Sequence, residues 1–307
     1  TGALLGCNAS DASKESREPS AGRSAEQGFI DAHVHVWTPD TDAYPISPKR
    51  KKSEIRPPSF TPAELFSHCR PAGVERINLI QMSFYQDDHR YMLDAIASHP
   101  KTFAGTGLLT DIVSEGARPA DRMRELAGQG LRAFRIGGRS AQAGPSWMDH
   151  PNYSALYRLA SERQLILSFL INPPDLPEIG RLCAQFPDAP VIIDHLARIR
   201  PGSETSERDT EALLRLAEYP RVYIKVGAFY ALSAAGPPYF DLLPLIEKTV
   251  STFGAERCMW ESDSPFQVQA PHSYAASVAL IRDHAKFLSE EAKHSILTGT
   301  AESLLFS

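Results

Sequence analysis

The sequence predicts a single (β/α)8 TIM barrel of the α/β class, preceded by an N-terminal tail. Three observations predict it. The chain has 307 residues, room for one barrel of about 250 residues plus an extension. After Gly28, short apolar runs alternate with segments of helical periodicity, the pattern of βα units on a parallel sheet. Eight such runs can be counted, the number that closes a barrel filled by its own side chains.

In order, the predicted strands are Gly28–Val36, Arg76–Met82, Thr102–Leu109, Leu131–Ile136, Leu165–Ile171, Val191–Asp194, Val222–Val226 and Arg257–Trp260. The first helix has a clear start: Thr61 as N-cap, Pro62 at the first helical position and Glu64 at the third, with its end near Ala72-Gly73. Helical patterns over His89–Ala97, Arg118–Ala127, Asn152–Arg163, Leu176–Gln185, Ser206–Ala217, Tyr239–Phe253 and Ser273–Phe287 fill the other gaps. The Pro-rich stretch Thr38–Pro58 reads as a long loop after the first strand, where such loops shape substrate pockets. A doubly wound open sheet is the main competitor. No GxGxxG follows the first strand, which argues against its dinucleotide-binding form.

Composition narrows the function. Hydrophobic residues make up 42% and charged residues 22%, ordinary for a globular enzyme. The net charge of -5 is spread along the chain, so nothing favours nucleic acid as a partner. Lys49-Arg50-Lys51-Lys52 is a basic cluster in a Pro-flanked loop, read as solvated surface. There is no apolar run of membrane-spanning length. Cys69, Cys183 and Cys258 have no paired spacing and read as buried free thiols.

The expected domain organisation is a tail over residues 1–27 and a barrel over 28–307. From Asn8 to Gly28 apolar content nearly vanishes, which predicts a flexible segment. Leu4-Leu5-Gly6-Cys7 is similar to a bacterial lipobox, whose Cys is lipidated. The expectation is an exported protein, periplasmic or membrane-tethered through Cys7, with a cytoplasmic protein as the alternative.

Three signals point to chemistry. In Phe29-Ile30-Asp31-Ala32-His33-Val34-His35-Val36-Trp37 the two histidines lie two apart on a strand, so both imidazoles share a face and can hold one divalent ion. An HxH alone more often marks a surface strand. In Val191-Ile192-Ile193-Asp194-His195 an imidazole sits at a strand terminus, as a ligand, an acid–base group or a structural His. In Met259-Trp260-Glu261-Ser262-Asp263-Ser264-Pro265-Phe266 a carboxylate closely follows the last strand, where it can take a proton, hold a metal or merely cap a turn.

Together FIDAHVHVW, VIIDHLA and MWESDSPF resemble, in order and spacing, the amidohydrolase-related superfamily over residues 28–307. Within it the chain looks most like the lactonases that act on sugar lactones and pyrone dicarboxylate. Gly130–Ile136 is similar to that branch's Arg-bearing fourth strand, Val222–Tyr230 to its seventh strand and Ile296–Phe306 to its closing helix. The resemblance implies His33 and His35 as first-strand ligands, His195 as the sixth-strand His and Asp263 as the eighth-strand Asp.

Two departures bear on the metal. The fourth strand carries no site-facing Lys, which argues against a carbamylated bridge and a two-metal centre. The fifth strand, Leu165–Asn172, has no His where many relatives place a ligand. The resemblance therefore implies at most one divalent ion, zinc being the expected metal, on His33, His35, Asp263 and His195; activity without metal stays open. The implied reaction is hydrolysis of a cyclic ester, with Asp263 deprotonating water and His195 assisting the oxyanion or leaving oxygen. Arg135, with Arg139, Arg198 and Arg200 in following loops, suits a small anionic substrate. Trp37, Tyr85 and Tyr230 are expected to line the pocket, core packing being the alternative for each. Two other readings share the frame: a non-oxidative decarboxylase and a catalytically inactive exported binding protein.

Overall fold

The computed structural model describes residues 1–2, 28–144 and 146–307. The expected tail and Cys7 lie outside the described residues. Eight parallel strands form one sheet in sequential order: β1 Phe29–Val34, β2 Val74–Ile80, β3 Phe103–Leu108, β4 Ala133–Gly137, β5 Ile166–Leu170, β6 Val191–Ile193, β7 Val222–Gly227 and β8 Cys258–Glu261. The sheet closes on itself: His33 O accepts from Asp263 N at 2.9 Å, and His35 N donates to Ser264 O at 2.9 Å. A (β/α)8 barrel results, as the alternation of runs predicts.

Local signals fix the helices. Thr61 caps the helix Pro62–Cys69 with a full capping box, its hydroxyl accepting from Glu64 N and its own N–H donating to Glu64 Oε2 at 2.6 Å. A 3₁₀ turn, Arg70–Ala72, continues that helix to Gly73, whose φ of 83° suits a residue without Cβ. Three expected helices are broken instead of continuous. That over Ser206–Ala217 ends at Leu214 and passes into a 3₁₀ turn, Arg215–Glu218. The pattern over Tyr239–Phe253 becomes a 3₁₀ turn, Phe240–Leu242, before the helix Leu243–Phe253. That over Ser273–Phe287 becomes a short helix, Tyr274–Ala279, and a π turn, Leu280–His284.

The interior is layered. Ile30, Ala32, Ala133, Ile166, Ile192 and Met259 pack with Ala301 and Leu305, so the closing helix Thr300–Leu305 plugs that end. Above them, the next inward positions on β4 to β8 are polar or charged: Arg135, Ser168, Asp194, Lys225 and Glu261. In β1 a bulge between Asp31 and Val34 resets the alternation. Ala32 can therefore join the apolar floor while its neighbour His33 joins the polar layer. Cys69, Cys183 and Cys258 are buried free thiols, as their spacing predicts.

Thr61→Ala should lower unfolding stability by about 1 kcal/mol, the usual worth of such a cap, as a shifted denaturant midpoint with catalysis unchanged. No shift would show that tertiary packing alone sets this helix start.

Candidate active site

The polar layer opens at the C-terminal ends of the strands into a cavity of about 540 Å³. His35, Arg135, His195, Arg198, Arg200, Tyr230 and Asp263 line it. The four residues singled out for chemistry therefore converge. His33 Nε2 lies 3.3 Å from His35 Nε2 and 3.6 Å from Asp263 Oδ1, and His35 Nε2 lies 3.4 Å from that same oxygen. The His195 ring sits 4.6 Å from that of His33, centroid to centroid.

Each group is held by a specific partner. His35 Nδ1 donates to Ile80 O at 3.0 Å, since a carbonyl only accepts, and this leaves the His35 Nε2 lone pair facing Asp263. The Tyr230 hydroxyl donates to Asp263 Oδ2 at 2.7 Å. Asp263 Oδ1 is buried and has no hydrogen-bond donor. Burial alone would raise the Asp263 pKa; His195, His35 and His33 outweigh it and hold the carboxyl well below the usual range. Burial lowers the pKa of His33 and of His35, so both rings favour the neutral form.

His195 takes the opposite course. Burial would depress it, but Glu261 and Asp263 raise its pKa, so the imidazolium is favoured. Its Nδ1 lies 2.6 Å from Glu261 Oε1, and its Nε2 lies 3.4 Å from Arg135 Nη2. Burial pushes Glu261 itself up to about 7, against the pull of His195.

Sequence reasoning missed three members of this cluster: Asp194, Lys225 and Glu261. Asp194 accepts from Ser168 Oγ at 2.9 Å, from Lys225 Nζ at 3.0 Å and from Arg135 Nε at 3.3 Å. Burial would raise its pKa; Lys225 and His33 lead the groups that hold it well below the ordinary value. A signal for two of them existed. Lys225 interrupts an apolar strand, and Glu261 lies two residues before Asp263.

Two predicted pocket residues are corrected. Trp37 is fully buried; its Nε1 donates to Pro57 O at 3.0 Å and its ring packs on Phe60, Phe84 and Phe266. Tyr85 is also buried, and its hydroxyl accepts from Thr38 N at 3.2 Å. Both brace the long loop after β1 instead of lining the cavity. Arg139 borders a separate hollow beside Tyr153.

The donor set suits a metal ion. Three ligand atoms, one each on His33, His35 and Asp263, lie 3.3–3.6 Å apart. Tetrahedral bonds of about 2.0–2.1 Å would separate ligand atoms by about 3.3–3.4 Å. The donorless Asp263 Oδ1 belongs to this group. His195 offers its atoms to a different grouping, with His33 and Asp194.

A sequential parallel barrel with an HxH pair, a sixth-strand His and an eighth-strand Asp at its mouth defines a class of hydrolase. The amidohydrolase family profile matches residues 30–306, and the chain belongs to that family. It is 28% identical over 279 residues to the L-fucono-1,5-lactonase of Burkholderia ambifaria, covering 89% of this chain and 93% of that one. It is 24% identical over 239 residues to the 4-sulfomuconolactone hydrolase of Rhizobium radiobacter, covering 78% and 76%. An amidohydrolase from Burkholderia multivorans, crystallised with bound zinc, shares the fold at a TM-score of 0.75 and 21% identity, covering 91% of this chain and 99% of that one.

Glu261→Gln keeps a hydrogen-bond acceptor for His195 and removes the charge that sustains its imidazolium. Hydrolytic turnover should drop about 10–100-fold, with KM nearly unchanged and the circular dichroism spectrum retained. A turnover number equal to that of the unaltered protein would remove Glu261 from the catalytic network.

Proposed function

We propose that this chain hydrolyses a small anionic lactone by attack of a water molecule that Asp263 activates. One observation carries the reading: Asp263, which lines the cavity, holds a buried carboxylate oxygen, Oδ1, between two neutral imidazoles with no donor of its own. The names of the curated relatives, both lactone hydrolases, support the substrate class.

The residues divide the work. His33, His35 and Asp263 would hold one divalent ion, zinc being the expected one. Such an ion lowers the pKa of a water toward about 7 and polarises a carbonyl. Tyr230 pins Asp263 through Oδ2 and so fixes the carboxylate that takes the water proton. The water oxygen bonds to the ester carbon, and the ring C–O bond breaks. His195, kept cationic by Glu261, then gives its Nε2 proton to the departing ring oxygen, and the product is an open-chain hydroxy acid.

The anionic part of the substrate follows from charge. Arg135 is paired with Asp194, but Arg198 has no ion-pair partner among the described residues and faces the same cavity. Partial burial, then repulsion by Arg135, lowers its pKa. A carboxylate seated between these guanidinium groups and Arg200 would relieve that repulsion.

Asp263→Asn should cut turnover by about 10²–10⁴-fold while the fold is retained. The assay is acid release from a panel of aldonolactones and carboxylated lactones, with carbon dioxide followed in parallel. Undiminished hydrolysis would sink the mechanism, and carbon dioxide release in place of ring opening would establish the decarboxylase reading. Arg198→Gln should raise KM for carboxylated lactones about tenfold and leave neutral lactones unaffected. Equal effects on both classes would refute the anion-binding role.

A further inference from the structure

Lys225 is fully buried, and its Nζ lies 3.0 Å from Asp194 Oδ1 and 3.2 Å from His33 Nδ1. An ammonium donates three protons and accepts none. The second contact is therefore a hydrogen bond only when His33 Nδ1 offers a lone pair, which puts the proton of the neutral ring on Nε2. His33 Nε2 in turn lies 3.3 Å from His35 Nε2, a lone pair by virtue of the bond from His35 Nδ1 to Ile80 O. Lys225, His33, His35 and the Ile80 carbonyl then form one chain in which every donor meets an acceptor. The other tautomer of His33 sets two donors against each other at 3.2 Å and two lone pairs at 3.3 Å. Yet that other tautomer is the one a cation needs, because only then do three bases converge.

We propose that Lys225 is a positioning residue that holds His33 in its Nε2–H tautomer and so weakens cation binding at His33, His35 and Asp263. The inference rests on reading those three residues as an ion site. Ion binding moves one proton from Nε2 to Nδ1 of the same ring, with no change in its net protonation. The new Nδ1–H has an acceptor waiting: Glu261 Oε2 lies 3.7 Å away, buried and without a hydrogen-bond partner. The ammonium keeps Asp194 throughout. The site is thereby tuned for a loosely held, exchangeable ion.

If Lys225 only neutralised Asp194, charge alone would tighten the ion in Lys225→Met, but the charge-balanced Lys225→Met/Asp194→Asn would bind it no better. Zinc(II) affinity of the whole chain, measured by competition with a chromophoric chelator, should tighten about tenfold or more in Lys225→Met. Lys225→Met combined with Asp194→Asn, which keeps the charge balance, should tighten it as well. Nitrogen NMR of the imidazoles in the chelator-stripped, unaltered protein should show His33 protonated at Nε2 and bare at Nδ1. Unchanged or weaker zinc binding in a folded variant, or a His33 ring protonated at Nδ1, would overturn the proposal. Zinc binding by none of the proteins would sink the triad and this inference with it, while hydrolysis in the Asp263 assay would stand separately.

Discussion

Asp194 is an ionised carboxylate sealed inside the barrel, and the rest of the site is arranged around the need to compensate it. Ser168 from β5, Lys225 from β7 and Arg135 from β4 all reach it, so one buried charge ties together four neighbouring strands. Removing a single partner from such a cluster typically costs about 3–5 kcal/mol, because the remaining charge stays buried without compensation. The functional groups hang from the same cluster. Lys225 touches His33, and Arg135 touches His195, so the positions of both imidazoles follow from how Asp194 is neutralised.

Backbone strain completes the arrangement. Asp194 and His195 are consecutive, and on a regular strand consecutive side chains face opposite ways. Both reach the cluster here because β6 stops at Ile193 and the chain turns through four successive left-handed residues, His195 to Arg198. Left-handed conformations cost about 1–2 kcal/mol per non-glycine residue. Asp263, with φ of 60°, and Ala228, with φ of 52°, carry the same strain where β8 and β7 end. These six residues gather at the rim that presents the site, where packing beneath can hold them in place.

The fold was largely legible because its signal is periodic: eight apolar runs, each matched by a strand whose ends differ by two residues or fewer. The three helices that break into 3₁₀ and π turns carry no local signal as plain as the Thr61 box. The convergence of His33, His35, His195 and Asp263 was legible through family resemblance and the period of 2. The cluster beneath them was not, since Asp194, Lys225 and Glu261 acquire meaning only when closure brings separate strands together. Trp37 and Tyr85 were misread for a related reason. An aromatic near a barrel rim can face the cavity or the loop, and only the course of residues 38–58 decides which.

A tension remains between Asp263 and its surroundings that bears on how catalysis is organised. The carboxylate is held ionised by the imidazoles around it, and Tyr230 satisfies one oxygen. The other oxygen is shut away without a donor, a state that costs free energy in an isolated protein. Glu261 Oε2 is buried in the same condition nearby. Two acceptors left unsatisfied around rings that can shift a proton from one nitrogen to the other are out of place in a passive core. They fit a site whose open acceptors are met by water and substrate, with the barrel beneath supplying the rigidity that keeps them unsatisfied in the meantime.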